Sequence, residues 1–324
     1  MNEFEIIQNC FVDPQASFPA PGWLLQGIGD DTARVAVPSG FVQSLSIDTL
    51  VSGVHFGSDD DSRGIGHKAL AVGLSDLAAS GAKPAWASLA ITLPSDDLEW
   101  LKQFSQGFFE LAKLHGVHLI GGDTTRGPLS VTVQVAGWLP QAKSLTRGGA
   151  HMGDTIYVTG KLGLAASALA AKQAGEQPFS EWLAKLHFPE PRIIAGQALL
   201  EVATSMIDVS DGLVADLGHI LTASKLGAEL QIKSVPRAMQ LIPSVSSADS
   251  IFAALCGGDD YELLFTSAAS STEIEQLARS SRTKITAIGI IREQAGLTLN
   301  VQGLTESETD AVRRAETRGG YRHF

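Results

Sequence analysis

The sequence predicts a mixed α/β protein built from two domains. Its 324 residues exceed the roughly 100 to 200 residues of a typical single domain. Strand-like alternation and helix-like periodicity follow one another in both halves of the chain. A glycine-rich stretch, GGAHMGD at residues 148–154, separates the halves, and the pattern restarts after it. We therefore expect one domain over residues 1–150 and a second over residues 151–324.

The first half predicts two strands with two helices between them. The strands cover residues 41–48 and 129–137, and the helices cover residues 64–81 and 95–116. In the second strand apolar residues alternate with polar ones, which is typical of a sheet with one buried face. Ser95 is the expected N-cap of the second helix, and Gly116 is its expected end.

The second half predicts strands and helices in turn. The expected strands are DTIYVTG, SMIDV, ELLFT, KITAIGII and LTLNV, and the expected helices are GLAASALAAKQAG, PEPRIIAGQALLEVA and STEIEQLARSS. A further helix is expected to begin at Ser210, because Leu213, Leu217 and Ile220 form an apolar face behind it. The last residues, ETRGGYRHF, predict a surface tail.

Composition excludes several classes of protein. No apolar run approaches the roughly 18 residues of a membrane span, and no basic and apolar leader opens the chain, so we expect a cytoplasmic protein without a membrane partner. Cys10 and Cys256 have no partner at disulfide-framework, redox or zinc spacing. A net charge of −11 disfavours a nucleic-acid partner, because such binding depends on Lys and Arg.

One aspartate interrupts the apolar face of a predicted helix. Asp76 shares a stripe at helical spacing with Ile65, Ala69 and Val72. Burying an ionised carboxylate is unfavourable unless it is paired or bound to a metal. Taken alone, Asp76 is equally consistent with a solvated residue at the edge of the helix.

Further aspartates follow apolar runs and glycine turns. They are Asp30 and Asp31 in GIGDD, Asp48 in SIDTL, Asp123 in GGDTT, and Asp208 and Asp211 in IDVSDG. Each by itself fits a turn former or an N-cap. Mg²⁺ takes oxygen ligands, typically one or two carboxylates with waters and substrate phosphates, so converging acids from separate segments predict more than one metal ion.

Other nucleotide and metal motifs are missing from the sequence. TGKLG at residues 159–163 lacks the Ser or Thr of a P-loop, and GIGDDT lacks the last glycine of a dinucleotide loop. No HExxH, G-x-S-x-G or CxxC occurs, and we interpret His115 and His118 as structural. A site rich in Asp and Gly favours phosphoryl transfer, in which metal ions neutralise phosphate charge and no general base is required.

These motifs together resemble the thiamine-monophosphate kinases, which belong to the superfamily of aminoimidazole-ribonucleotide synthetase. The segments that carry the resemblance are GIGDDTA, SIDTLVSGVHF, KALAVGLSDLAASGAKP, LIGGDTTRGPLSVTV, TRGGAHMGDTIYVTG, IDVSDGLVADLGHI and GGDDYELLFT, in family order over nearly the whole chain. The resemblance implies transfer of the γ-phosphoryl group of ATP to thiamine monophosphate, several Mg²⁺ ions and a homodimer. It also implies two α/β domains, the first with a sheet that pairs across the dimer.

The resemblance further implies roles for individual residues. The metal ligands would be Asp31, Ser46, Ile47 (through its carbonyl), Asp48, Asp76, Asp123, Asp208 and Asp211. Gly122, Asp123, Arg147 and Ser210 would contact ATP, with Arg147 as the phosphate clamp. His55, Asp259 and Tyr321 would contact thiamine monophosphate; Asp259 stands where the family usually has the longer Glu, and Tyr321 could stack on a thiamine ring.

Three other hypotheses remain open from the residues alone. The chain could be another ATP-using member of the superfamily, although Cys10 lacks the glycine-rich setting of the reactive residue in selenophosphate synthetases. It could be a metal-dependent phosphohydrolase, which needs only the acids. It could be a divalent-ion binding protein, although no EF-hand spacing is present.

Overall fold

The computed structural model describes residues 3–57, 59–143 and 145–321, and the chain divides into two compact units. Unit 1 comprises Met1–Leu77 and Ala82–Lys143, and unit 2 comprises Ala78–Gly81 and Ser144–Phe324. Both units contain sheets and helices, so the predicted mixed α/β class is confirmed. No helix among the described residues is long and apolar enough to span a membrane.

Unit 1 is built around a four-stranded sheet. Its helices are α1 (Glu3–Ile7), α2 (Ser62–Ser80) and α3 (Leu98–His115), with a π-helical turn (Gln8–Val12) and a 3-10 turn (Asp13–Gln15) after α1, and its strands are β1 (Leu24–Gln26), β2 (Arg34–Val35), β3 (Phe41–Val51), β4 (Lys83–Leu93), β5 (His118–Arg126) and β6 (Ser130–Pro140). The sheet order is β3-β6-β4-β5, in which only β4 and β5 run parallel. Strands β1 and β2 form a separate antiparallel pair.

Helices α2 and α3 cross at two glycines. A Cβ at Gly66 would lie 1.9 Å from the Phe104 carbonyl oxygen, and a Cβ at Gly107 would lie 1.9 Å from the Arg63 carbonyl oxygen. Glycine at both points lets the two helix backbones approach so closely that no side chain would fit between them. Helix α2 also packs on β6 at Gly73, where an added Cβ would meet Val135 at 2.9 Å. This close packing holds α2 against the sheet.

The ends of α3 show one correct and one wrong prediction. The helix ends at Gly116, which has φ +66° as a left-handed C-cap requires. The N-cap is Asp97 rather than Ser95, because the Asp97 carboxylate accepts hydrogen bonds from the N–H groups of Glu99 and Trp100, both at 3.1 Å. Either residue type caps well, so the sequence alone could not choose between them.

Unit 2 is built around a six-stranded sheet. Its strands are β7 (Thr155–Thr159), β8 (Ser205–Val209), β9 (Gly227–Gln231), β10 (Glu262–Ser267), β11 (Ile285–Arg292) and β12 (Gly296–Asn300). Its helices are α4 (Leu164–Gln173), α5 (Ser180–His187), α6 (Ile193–Leu199), α7 (Leu213–Ser224), α8 (Ser247–Cys256), α9 (Ser271–Ser280) and α10 (Glu306–Arg318), with a 3-10 turn at Ile232–Ser234. The sheet order is β12-β9-β11-β7-β10-β8, and only β12 and β9 run parallel.

One large hydrophobic core holds the second sheet. It joins β7, β8 and β10 to helices α7, α8 and α10 through fully buried residues such as Ile156, Leu217 and Ala315. A smaller core joins α4 and α5 around Trp182. Strand β8 and helix α7 are therefore fixed on both sides of the turn between them, at residues 210–212. The predicted start of α7 at Ser210 is wrong by three residues, because Gly212 has φ +112° and is not helical.

Candidate active site

The first cluster of predicted ligands lies in unit 1, where β3 faces α2. Alternation along β3 turns Ser46 and Asp48 toward the helix, and Ile47 toward the opposite face, where it is 64% exposed. The Ser46 hydroxyl donates a hydrogen bond to the Asp76 carboxylate. Asp48 also approaches α2, since its Oδ2 lies 3.5 Å from the position of a Cβ at Gly73. The strand and the helix thus bring Ser46, Asp48 and Asp76 together.

Asp48 is unfavourably placed unless a cation is present. Burial, and then the neighbouring charge of Asp76, raise the pKa of Asp48 to about 6. Its Oδ2 is buried and has no hydrogen-bond partner among the described residues. Buried polar atoms are normally satisfied, and two close carboxylates repel each other. An orphaned carboxylate oxygen beside a second acid is the donor chemistry that Mg²⁺ prefers, so these residues fit the predicted ion.

The second cluster in unit 1 lines a cavity of about 780 Å³. Its acidic residues are Asp30, Asp31 and Asp123, and its walls include Gly121, Gly122, Trp86 and the apolar side chains Phe4, Ile7 and Phe11. The Asp31 N–H donates to the Asp30 carboxylate at 2.8 Å, which defines the turn that carries both acids. The predicted metal ligands Asp31 and Asp123 and the predicted ATP contacts Gly122 and Asp123 therefore share this cavity. They are separated from Asp48 in the sheet, because β6 and β4 lie between β3 and β5.

Glycine is required beside Asp123 for a specific reason. A Cβ at Gly122 would lie 1.8 Å from the Leu89 carbonyl oxygen on β4. The position of the glycines after an apolar run suggests that they end the strand. They do not, because β5 continues through Arg126 and stays paired with β4. Asp123 is consequently held on a paired strand and is exposed at its surface. A strand positions a ligand side chain more rigidly than a loop does.

Two other predicted residues lie on turns. His55 follows β3, and its Nδ1 accepts a hydrogen bond from the Val51 N–H at 3.0 Å. When the ring is neutral, its proton is therefore on Nε2. Arg147 lies in unit 2, exposed in a turn whose main chain is fixed by a hydrogen bond from Ser224 Oγ to the Arg147 carbonyl at 3.2 Å.

The third cluster lies in unit 2 and joins three separate segments of the chain. The N–H groups of Asp259 and Tyr261 donate to the carbonyls of Ser210 and Val209, both at 2.8 Å. The N–H of Tyr321 donates to the Asp211 carbonyl at 3.0 Å. Gly258 permits this approach, because it has φ +72° and an added Cβ would lie 2.5 Å from the Ser210 carbonyl oxygen.

This main-chain network brings predicted residues of two kinds together. Asp208 (buried near the end of β8), Ser210 and Asp211 are predicted metal and ATP residues of unit 2. Asp259 and Tyr321 are the predicted substrate residues of the same unit. Hydrogen bonds between backbones do not depend on side-chain rotamers, so the relative positions of the three segments are set by the fold itself.

Asp216, which the sequence analysis did not select, organises the turn at residues 210–212. Its Oδ2 accepts hydrogen bonds from the N–H groups of Ser210, Asp211 and Gly212, each at 3.1 Å. Burial, and then the charge of Asp211, raise the pKa of Asp216 to about 7, although these N–H groups lower it. The sequence pattern that could have identified Asp216 is its position on the apolar face formed by Leu213, Leu217 and Ile220. The same kind of pattern, a carboxylate on an apolar helix face, identified Asp76.

Two further buried acids anchor the segment that carries Asp259. The Asp260 carboxylate accepts hydrogen bonds from the Gly163 N–H at 2.8 and 3.0 Å, and its burial raises its pKa well above the usual range. Glu262 is fully buried and is bound by Thr159, Lys185 and Arg192. Burial would raise the pKa of Glu262, but its hydrogen bonds and the charges of Lys185 and Arg192 lower it overall. The sequence gives no sign of this ion cluster, since its members come from β10, β7, α5 and the N-cap position of α6.

No group of three or more His, Cys, Asp or Glu side chains is arranged to hold a metal ion within residues 3–57, 59–143 and 145–321. The predicted acids are found instead as a pair on β3 and α2, at the cavity of unit 1, and at the end of β8 in unit 2.

Two family models and many known proteins match the chain. Residues 29–139 match the N-terminal domain of AIR synthase related proteins, and residues 152–302 match the C-terminal domain. The thiamine-monophosphate kinase of Escherichia coli K12 is 48% identical over 245 residues, which cover 74% of this chain and 75% of that protein. The thiamine-monophosphate kinase of Buchnera aphidicola subsp. Schizaphis graminum is 41% identical and covers 92% of this chain and 94% of its own length.

Solved structures agree with these relatives. The crystal structure of thiamine-monophosphate kinase from Stenotrophomonas maltophilia K279a is 40% identical, with a TM-score of 0.86 over 93% of this chain and 97% of that one. A structure described as AaThiL complexed with AMPPCP and TMP is 26% identical, with a TM-score of 0.75 over 92% of each chain. E. coli HypE, a hydrogenase maturation protein, is 19% identical with a TM-score of 0.73 and shares the fold alone. The chain belongs to the thiamine-monophosphate kinase family of the AIR synthase related proteins.

Proposed function

We propose that the chain transfers the γ-phosphoryl group of ATP to thiamine monophosphate in the cytoplasm, giving thiamine diphosphate and ADP. The observation that carries the proposal is the hydrogen-bonded network of unit 2. There the segment assigned to ATP and metal, at residues 208–211, is bonded to the two segments of unit 2 that are assigned to the acceptor and carry Asp259 and Tyr321. The names of the relatives and the ligands AMPPCP and TMP of the related structure support the same reaction.

The reaction requires no general base. A phosphate oxygen of thiamine monophosphate attacks the γ-phosphorus of ATP, and the bond from that phosphorus to the bridging oxygen of ADP breaks. The acceptor is a phosphate monoester with a second pKa of about 6, so it is largely a dianion at neutral pH. The task of the protein is then to orient two polyanions and to neutralise their charge. Arg147 would clamp the phosphates of ATP, and Gly122, Asp123 and Ser210 are the other proposed ATP contacts.

Mg²⁺ would supply the positive charge that this acidic chain lacks, by screening the phosphate oxygens. Ser46, Asp48 and Asp76 would hold one ion, with the Ile47 carbonyl beside them, because the orphaned Asp48 oxygen needs a positive partner. Of the remaining predicted ligands, Asp31 and Asp123 would act at the cavity of unit 1. Asp208, on β8, and Asp211, on the turn after it, would act in unit 2.

We also propose that the protein is a homodimer. Strand β3 is an edge of the four-stranded sheet, and its outward face exposes Phe41, Leu45, Ile47 and Val51. An apolar row on an unpaired edge strand is a surface that proteins normally cover. A second copy of this chain would cover it with the same row, as a two-fold axis requires.

The test is a reaction with ATP and Mg²⁺, with and without thiamine monophosphate, in which the products are separated by chromatography. We expect one thiamine diphosphate for each ADP, and ADP only when the acceptor is present. Release of ADP with free phosphate and no thiamine diphosphate would refute the kinase reaction and favour a phosphohydrolase. Absence of any turnover would refute both.

The metal assignment has its own test in Asp48→Asn. We expect loss of turnover together with loss of the increase in melting temperature that Mg²⁺ gives the native chain, because a ligand that binds only the folded state stabilises it. Asp310→Asn is the matched control, since Asp310 is exposed on α10 and pairs with the exposed Arg313 of the same helix. A variant Asp48→Asn that keeps both turnover and the Mg²⁺ effect would remove Asp48 from the metal site.

A further inference from the structure

The segment at residues 257–262 has an unusual backbone. Among the described residues, only four other than glycine have a positive φ, and two of them are Asp259 at +63° and Tyr261 at +51°. Aspartate tolerates the left-handed region, but a bulky aromatic residue rarely adopts it. Such conformations persist only where the surroundings impose them, and they cluster at functional sites. Two positive φ angles within three consecutive residues therefore require an explanation.

Contacts on both sides impose this backbone. The main-chain N–H groups of Asp259 and Tyr261 are fixed by the carbonyls of Ser210 and Val209. The alternate residues, Asp260 and Glu262, are buried and fixed by the Gly163 N–H and by the ion cluster of Lys185 and Arg192. The segment is thus held at four consecutive residues, and its conformation does not depend on the hydroxyl of Tyr261.

The result of this backbone is one hydrogen bond between side chains. The ring of Tyr261 is buried, with 8% of the residue exposed, and its hydroxyl donates to Asp259 Oδ1 at 2.8 Å. A hydrogen bond to a charged acceptor is stronger than one between neutral groups. Asp259 has two rotatable side-chain bonds, and fixing one carboxylate oxygen fixes the direction of the other. The buried ring is therefore a rigid support for a half-buried acid.

We propose that Tyr261 is a positioning residue, whose hydroxyl fixes the Asp259 carboxylate in the orientation that binds the organic part of thiamine monophosphate. This inference rests on the proposed function and deepens it. The acceptor carries an aminopyrimidine with N–H donors and a positively charged thiazolium, and a carboxylate complements both. A carboxylate already oriented before binding loses less conformational freedom when the substrate arrives. Tyr261 therefore acts on acceptor binding, and it leaves ATP binding and phosphoryl transfer unchanged.

The test is Tyr261→Phe, which removes one oxygen and keeps the buried ring. We expect the KM for thiamine monophosphate to rise roughly threefold to tenfold, because the freed Asp259 carboxylate must then be ordered when the substrate binds. The kcat and the KM for ATP should stay within about twofold of the native values. Tyr157→Phe is the matched control: Tyr157 is the other buried tyrosine of unit 2, stacked on Phe265 with ring centroids 5.2 Å apart.

A double-mutant cycle separates positioning from a general effect on the fold. If the hydroxyl acts through Asp259, Tyr261→Phe should add no further rise in KM when Asp259→Ala is already present. Equal effects in both backgrounds would overturn the inference, as would a KM for thiamine monophosphate that matches that of Tyr157→Phe. Melting temperatures of all variants are measured alongside, and a fall in kcat together with a lower melting temperature would assign the hydroxyl a structural role instead.

The native enzyme distinguishes the two levels of failure. Native turnover of thiamine monophosphate with an unaltered Tyr261→Phe variant would refute the positioning role and leave the kinase proposal intact. Absence of native turnover with thiamine monophosphate would refute the kinase proposal and the positioning role together.

Discussion

Replacing Glu262 should destabilise the protein more than replacing any exposed acid. The fully buried carboxylate is bound by Lys185 Nζ at 2.6 Å, by Arg192 Nε and Nη2 at 2.6 and 2.7 Å, and by Thr159 Oγ1 at 2.7 Å. Glu262→Gln keeps the shape of the side chain and removes its charge. Lys185 and Arg192 would then remain mostly buried, with side chains 18% and 12% exposed, and the exposed Glu190 would stay beside Arg192.

The expected magnitude follows from the uncompensated charges. Removing one partner of a buried ion pair costs about 3 to 5 kcal/mol, because the remaining charge cannot return to water. For a domain of this size 1 kcal/mol corresponds to roughly 2 to 4 °C, so the melting temperature should fall by roughly 6 to 20 °C. The matched control is Glu181→Gln, which breaks a pair with Lys161 of similar length, 2.8 Å, whose side chains are 50% and 41% exposed. An exposed pair of this kind contributes about 0 to 1 kcal/mol.

The assay is thermal unfolding followed by circular dichroism at several pH values. The pKa of Glu262 is lower in the folded state, so its contribution is complete above the unfolded pKa of about 4.3 and is lost as the pH falls through the folded value. The gap between the native chain and Glu262→Gln should therefore be constant at neutral pH and close in acid. A Glu262→Gln variant that melts within 2 °C of Glu181→Gln at pH 7 would refute the reasoning.

Three other substitutions test the turn, the edge strand and a helix cap. Asp216→Ala should lower turnover at least tenfold, because three N–H groups at residues 210–212 lose their acceptor. Asp216→Asn should retain most activity, because its amide oxygen still accepts these hydrogen bonds. Equal losses of turnover in the two variants would show that the charge of Asp216 matters and not the geometry of the turn. Leu45→Glu should convert the dimer into a monomer, as measured by light scattering. Leu114→Glu, which changes an exposed leucine on α3, should leave the dimer intact. A dimer in both variants would show that the outward face of β3 is not the interface. Asp97→Ala should cost about 1 kcal/mol of stability in thermal melts with turnover unchanged, and an unchanged melting temperature would contradict the assigned cap.

The fold class and the main helices were predictable because their signals are local. Strand β6 was expected at residues 129–137 and lies at Ser130–Pro140, and α2 was expected at residues 64–81 and lies at Ser62–Ser80. Strand β4 was missed: its buried positions include Ala85 and Ala87, which give no clear hydrophobic alternation. The tail expected from residue 316 begins inside helix α10, whose buried residues include the small Ala311 and Ala315. Residues 322–324 of that tail lie outside the described part of the chain.

The candidate site was predictable only for residues that carry their own signal. Acids beside glycines, such as Asp123 and Asp211, were selected because that pattern is unusual after an apolar run. Asp216 was hidden inside a regular helical pattern, and its role depends on three N–H groups that a non-helical turn leaves unpaired. Tyr261 was hidden because a left-handed φ at an aromatic residue is imposed by distant contacts, and no sequence pattern encodes it.

The bond from the Tyr321 N–H to the Asp211 carbonyl has a consequence for the order of biosynthesis. The ribosome makes residue 321 about 110 residues after residue 211, which at roughly 5 to 20 residues per second is a delay of several seconds or more. During this interval the ribosome makes β10, which is the sheet neighbour of β8, and helices α8 and α10 of the same core. The core of unit 2 includes Ala311 and Ala315, so the chain can complete this core only shortly before it acquires the contact that brings Tyr321 to Asp211.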